Sequence, residues 1–218
     1  MADAKALGAF VLSGVGVRVP PSAPCGAAHL SPARQLLESA GRKHGGMGLS
    51  FELDPPLTDD LRAAIVALWV DVTNAGGAVG FVPPVTAGDI GPTADAALDA
   101  VAAGRDHLLV GIDGGRPVAL LFVADNGHAL KDHWRVLKRV MVAPDGQGRG
   151  YGAALMREAA TVAEKMGLAG LQVTVRAGMG TEDFYARLGY HEVGRVPGAL
   201  RVAPGDDRDE IIMWRDLG

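Results

Sequence analysis

From Ser50 onward, apolar residues recur with helical and strand periods in turn. Ser50 to Leu53 reads as a short strand. Residues 61–70 carry apolar side chains on a 3.6-residue period and predict a helix, with Thr58 as its N-cap. The loop Gly76 to Pro84 follows, then a second helix over about 93–103, ended by Gly104. Stretches 107–112 and 117–124 are strands, joined by the hairpin signal Asp113-Gly-Gly. The remaining pattern predicts strand 133–142, helix 149–166, strand 169–175, helix 181–188, and strands near 190–196 and 209–214. The order β-α-α-β-β-β-α-β-α-β-β combines hairpins with one central βαβ unit. It predicts an α/β protein of the α+β mixed-sheet kind, with helices on both faces.

The first 46 residues break this regularity. They are rich in Gly, Ala, Pro and Ser, and only Ser31 to Gly41 suggests a short helix, with Pro32 at its first position. We read 1–46 as a flexible extension, with Met47 a plausible true start, and 47–218 as the functional domain. Ala6 to Val17 has the length of a signal-peptide core. Its flank Met-Ala-Asp-Ala-Lys lacks net positive charge, however, and Pro20 to Pro24 is a poor cleavage context.

Composition narrows the function. The chain has 218 residues and a net charge of −4, which implies no broad basic face for nucleic acid. No apolar stretch is long enough to span a membrane. The single cysteine, Cys25, forms no intrachain disulfide, which suits a reducing cytoplasm. The six histidines show no metal-binding spacing, so no metal is expected, and no Gly-x-Ser-x-Gly elbow suggests an esterase.

The densest chemistry lies at Val140-Met-Val-Ala-Pro-Asp-Gly-Gln-Gly-Arg-Gly-Tyr-Gly-Ala153. An apolar strand runs into a glycine-rich turn and then a strong helix former. Glycines admit a ligand close to the backbone, and amides at a helix start attract anionic oxygens. The segment therefore suits a phosphate or pyrophosphate. A Walker loop fails because no Gly-Lys-Ser/Thr closes it. A dinucleotide fingerprint can be forced over Gly148 to Ala153, but no acidic residue ends the next strand. Gln147-x-x-Gly150-x-Gly152 after Val142-Ala-Pro144 fits throughout. It resembles motif A of the GNAT superfamily of acyl-CoA-dependent N-acetyltransferases. The resemblance covers about residues 49–217.

This resemblance implies acetyl-CoA as co-substrate. Amides of the strand near Val140, Met141 and Val142 would meet the pantetheine arm, at a place where the family's strand splays from its neighbour. Gln147, Gly148, Arg149, Gly150, Tyr151, Gly152 and Ala153 would surround the pyrophosphate, largely through main-chain N–H groups. Phe184-Tyr185-x-x-x-Gly189-Tyr190 resembles the family signature, which makes Tyr185 the catalytic tyrosine facing the CoA sulfur. Physically, a phenol can protonate the departing thiolate. A strand amide near Val140 or Met141 would support the carbonyl oxygen. Many relatives carry a glutamate base where this chain has Val136. His133, Glu182 and Asp183 lie nearby in sequence, and none has a case as its substitute.

The acceptor pocket is expected from Leu68-Trp69, Gly76 to Phe81, and Pro197 to Arg208. This combination is similar to the tabtoxin-resistance type of GNAT, which acetylates a small amino-acid-like toxin. Asp206, Asp207 and Asp209 either attract a cationic amine or form a solvated turn. The leading reading is direct acetyl transfer in a ternary complex to a small primary amine. A peptide or protein amine acceptor, and a non-catalytic acyl-CoA sensor, are the alternatives. Members of the family are often homodimers.

Overall fold

The computed structural model describes residues 48–218. The extension 1–46, Met47, the helix expected over 31–41 and Cys25 lie outside the described residues. The element order matches the expected one. Strand β1 (Ser50–Leu53) is followed by helices α1 (Asp59–Asn74) and α2 (Ala87–Ala102), then β2 (His107–Asp113), β3 (Arg116–Ala124) and β4 (Trp134–Val142). Helix α3 (Tyr151–Lys165), β5 (Gly170–Arg176), α4 (Thr181–Ala186), β6 (His191–Ala203) and β7 (Asp206–Asp216) complete the fold.

Thr58 caps α1 as expected, its hydroxyl accepting the Leu61 N–H at 3.2 Å. Asp59 and Asp60 in the first turn complement the helix dipole. Helix α2 starts earlier than the periodicity suggests. The Asp89 carboxylate accepts the Thr86 N–H at 2.8 Å, and this box outweighs Gly88, Gly91 and Pro92, which read as breakers. Each helix buries one stripe: Ile65, Leu68, Trp69 and Val72 on α1, and Ile90, Ala94 and Leu98 on α2. No described helix is long and apolar enough to cross a membrane.

The seven strands form one mixed sheet in the order β1-β2-β3-β4-β5-β7-β6. Val118 to Ala124 of β3 are all buried. Successive side chains on a strand point to opposite faces, so both faces of the sheet centre are covered. The β2–β3 turn uses Gly114 and Gly115, both with positive φ, as a two-residue hairpin requires.

The final hairpin departs from expectation. Strands β6 and β7 run through most of 197–208, which the sequence suggests is a connection. Register shifts between Val196 and Leu200 and between Arg201 and Ala203 absorb Pro197 and Gly198. The Asp209 carboxylate also takes the Gly198 N–H at 3.0 Å.

Two irregularities in β4 create the site. Its parallel pairing with β5 covers only Trp134, Arg135 and Val136, after which the two strands part. Against β3, Leu120 faces Met141 and Phe122 faces Lys138, so Arg139 and Val140 together oppose Leu121. This is a β-bulge, and Arg139 takes a left-handed φ of 54° within it.

Candidate active site

The gap between β4 and β5 opens into a cavity of about 620 Å³. Val140 and Val142 line one wall, and Thr174, Val175 and Arg176 line the other. Met141, expected alongside them, turns its side chain into the core. The Ala143 N–H bonds back to Val118 of β3 at 2.8 Å. Alternation along the strand therefore directs the Val142 N–H toward the gap.

One end of the cavity is the glycine loop. A short 3-10 turn at Pro144–Gly146 ends the strand, and Gly148 (φ 75°) and Gly150 (φ 81°) turn the chain into α3. Gly150 is the N-cap residue, and nothing lies within 4 Å of where its Cβ would stand. The loop's inner side is thus bare backbone facing open space. Gln147, Gly148, Gly150, Tyr151, Gly152 and Ala153 all border the cavity.

Arg149 does not border it. Its guanidinium stacks over the Tyr151 ring at 4.7 Å and pairs with Asp113 at 3.6 Å. Tyr151 is buried beneath the loop and donates its hydroxyl to Asp113 at 2.5 Å. These two side chains brace the loop from behind.

A second cavity of about 340 Å³ continues from the first and shares Val79, Val140, Val175, Arg176 and Tyr185 with it. Its other walls include Gly80, Phe81, Arg139, Leu200, Arg201 and Glu210. The expected loop and hairpin therefore meet here. Trp69 does not line the pocket. It is fully buried, donates its indole N–H to the Val79 carbonyl at 3.0 Å, and backs Phe81 edge-to-face at 6.1 Å.

Tyr185 stands where the cavities join. It is held by edge-to-face contacts with Phe184 at 5.1 Å and Tyr190 at 5.7 Å. Burial pushes its phenol up to about 12, so it stays protonated at neutral pH. Tyr190 is also raised by burial, and its hydroxyl is buried without a partner.

The hairpin aspartates are committed elsewhere. Asp207 pairs with Arg201 at 2.7 Å, Asp209 with Arg195 at 3.2 Å, and Asp206 with Arg208. Each carboxyl is held below its usual range, by Arg201 for Asp207 and Arg208 for Asp206, and for Asp209 by the Gly198 N–H and then Arg195. This is the charge-satisfied turn rather than an amine trap. Val136 ends the β4–β5 pairing with no carboxylate to offer. Neither cavity is lined by His133, Glu182 or Asp183. Sequence reasoning missed Arg139, Arg176 and Glu210. Two adjacent basic residues, Lys138 and Arg139, which break the alternation of β4, were the available signal.

The family model described as "Acetyltransferase (GNAT) family" matches residues 83–190. The chain belongs to the GNAT superfamily and is by class an acyltransferase. Among solved structures it resembles a candidate phosphinothricin N-acetyltransferase, at 20% identity over 78% of this chain and 99% of that one, with a TM-score of 0.64. It also resembles yncA, a candidate acetyltransferase from Salmonella typhimurium solved with its cofactor acetyl-CoA. That match has 15% identity over 78% and 95% of the two chains, with a TM-score of 0.62. A ribosomal-protein-alanine N-acetyltransferase from Brucella melitensis matches at 18% identity over 76% and 99%, with a TM-score of 0.61. At these identities the likeness establishes the shared fold.

Proposed function

We propose that this protein transfers the acetyl group of acetyl-CoA directly to the primary amine of a small molecule, within a ternary complex. The observation that carries this reading is Tyr185 at the junction of a larger cavity that ends at the glycine loop and a smaller one lined by Phe81, Arg139, Arg201 and Glu210. The groove suits CoA: a glycine turn open on its inner side at one end, an apolar slot between parted strands in the middle, and a protonated phenol at the far end. The small pocket suits an amine, and its modest volume favours a small acceptor over a folded protein. The tabtoxin-resistance resemblance points the same way.

Acetyl-CoA supplies an activated acyl group: the amine lone pair forms the C–N bond, the C–S bond breaks, and one proton from the starting ammonium is released to solvent. Loop amides from Gln147 to Gly152 hold the pyrophosphate, where backbone donors and the helix dipole favour negative charge. The Val142 N–H fixes the pantetheine arm in the manner of an added strand. Backbone N–H near Val140 or Met141 supports the carbonyl oxygen as it gains charge. Tyr185 donates its proton to the departing sulfur and recovers one from the amine nitrogen, so the phenol is unchanged over the cycle. Holding both reactants across this junction supplies the rest of the rate gain. No cysteine occurs between residues 48 and 218 to carry an acyl group, which favours direct transfer.

The catalytic unit in this reading is 47–218, working in the cytoplasm where acetyl-CoA is made and used. Removing 1–46 leaves activity intact. A homodimer through the edge strand β6, where Val193 and Val196 are exposed, is checked by light scattering.

The test is acetyl-CoA-dependent thiol release across amino acids, polyamines, amine antibiotics and short peptides, with mass detection of one added acetyl group. A small-molecule product supports the reading. Acetylated peptides alone replace it with the peptide-acceptor alternative. Bound acetyl-CoA with no turnover in the panel favours a sensor.

A further inference from the structure

An amine that arrives as an ammonium has no lone pair with which to attack a thioester. It must first give up a proton, and a positioned side chain does this better than bulk water. Aspartate, glutamate and histidine are the side chains suited to take that proton at neutral pH. Among the described residues, Glu210 is the one of these three types that lines either cavity.

Sheet register places Glu210 beside the reacting end. It lies opposite Arg176 in the β5–β7 ladder, and Ile212 lies opposite Thr174. Opposed residues, and residues two apart on a strand, share a face of the sheet. Thr174 and Arg176 border both cavities, as Val140 and Tyr185 do. Ile211 and Met213, which alternate with Glu210 along β7, are buried in the core. Glu210 thus stands in the cleft wall at the junction, on its acceptor side. It is half-buried, so it can return a proton to water.

The surrounding charges fit this task. Lys138 and Arg139 on β4, Arg176 on β5 and Arg201 on β6 line the same cavity. An ammonium among these cations is drawn to the carboxylate and holds its proton less firmly. The neighbouring carboxylates on β7 are engaged elsewhere: Asp206 with Arg208, Asp207 with Arg201, and Asp209 with Arg195. None of those three lines either cavity.

We propose that Glu210 is the general base of the reaction. This rests on the acetyl-transfer reading and deepens it, by naming the group that deprotonates the acceptor. The Glu210 carboxylate takes one proton from the ammonium. The freed lone pair attacks the thioester carbonyl, the C–N bond forms and the C–S bond breaks. Tyr185 gives its proton to the sulfur and regains one from the new amide nitrogen. Glu210 then releases its proton to solvent, so both side chains end as they began.

The experiment compares two amines of similar size, ethylamine and trifluoroethylamine. At neutral pH the first is almost wholly protonated, whereas the electron-withdrawing fluorines leave the second almost wholly free. Only the first needs a base. Thiol release is measured at saturating acetyl-CoA for wild type, Glu210→Gln and Glu210→Asp, with acetyl-CoA binding checked by calorimetry. Glu210→Gln lowers kcat/KM for ethylamine roughly a hundredfold or more, the usual weight of general-base catalysis, and changes trifluoroethylamine by a few-fold at most. The ethylamine deficit narrows by about tenfold per pH unit between about pH 7 and pH 9, because the variant follows the free amine. Glu210→Asp keeps part of the activity. Formate restores ethylamine turnover to Glu210→Ala, which a packing role would not allow. Equal losses on both amines, or full ethylamine activity in Glu210→Gln, overturn the proposal. So does a wild type that acetylates trifluoroethylamine and not ethylamine. A wild type that binds acetyl-CoA and acetylates neither amine counts against the transfer reading, and the role of Glu210 falls with it.

Discussion

The two halves of the cleft are built from different materials. The groove on one side of Tyr185 ends in backbone, at a glycine turn and a helix start, and runs on between the parted strands β4 and β5, where Val140, Val142, Thr174 and Val175 wall it. The pocket on the other side is largely side chains, brought from the α1–α2 loop, β4, β5, β6 and β7. A backbone site can hold a constant ligand and tolerate drift in most side chains. A side-chain site can change its ligand without touching the fold. On the proposed reading the groove is the cofactor half, common to the family, and the pocket is the acceptor half, particular to this protein.

Substitutions that act on one half alone test this division. Gly150→Val is expected to have the largest effect. A branched side chain at φ 81° is strained and projects into the open cradle. Losing bonds to a charged phosphate at about 1.5–3 kcal/mol each weakens acetyl-CoA on the order of a hundredfold or more, read by calorimetry, with the circular dichroism spectrum retained. Tyr185→Phe comes next, lowering kcat on the order of a hundredfold while acetyl-CoA affinity holds. Because burial pushes the phenol up to about 12, the wild-type kcat shows no Tyr185-dependent fall below about pH 11. A loss centred near pH 8 would assign that step to another group.

The same burial affects stability. The folded phenol titrates above its unfolded value near 10, so its contribution is complete below pH 10 and lost as pH rises toward 12. The two-unit difference corresponds to about 3 kcal/mol. Denaturant midpoints for wild type should drop over that window, and Tyr185→Phe should flatten the drop. Tyr190, raised in the same direction, keeps part of it.

Smaller effects are expected behind the loop and away from the cleft. Tyr151→Phe removes the bond to Asp113 and costs about 1–2 kcal/mol of stability, with acetyl-CoA affinity falling only a few-fold. Thr58→Ala removes the α1 cap at about 1 kcal/mol and leaves both KM values unchanged. A change in either KM would mean that α1 couples to the pocket through Trp69.

The same contrast explains what was legible in the sequence. The element order, the Asp113-Gly-Gly turn and the Thr58 cap are local features, and each was readable. So was the glycine loop, because its chemistry lies in consecutive residues. Helix α2 begins ahead of the expected 93–103 because the Thr86–Asp89 box starts it before Gly88, Gly91 and Pro92. Strands β6 and β7 were read short because Pro197, Gly198, Pro204 and Gly205 look like loop, while bulges and the Asp209–Gly198 bond keep the ladder going. Arg139, Arg176 and Glu210 were missed because their convergence depends on sheet register and on one extra residue in β4. The hairpin aspartates drew attention through their charge, and that charge proved to be spent on neighbouring arginines.

The most direct measurement is a crystal structure of the protein with acetyl-CoA bound. The account predicts the pyrophosphate on the amides of Gln147 to Gly152, the pantetheine arm between β4 and β5, and the thioester sulfur within hydrogen-bond reach of the Tyr185 hydroxyl. A pyrophosphate held elsewhere, or a sulfur remote from Tyr185, would contradict it.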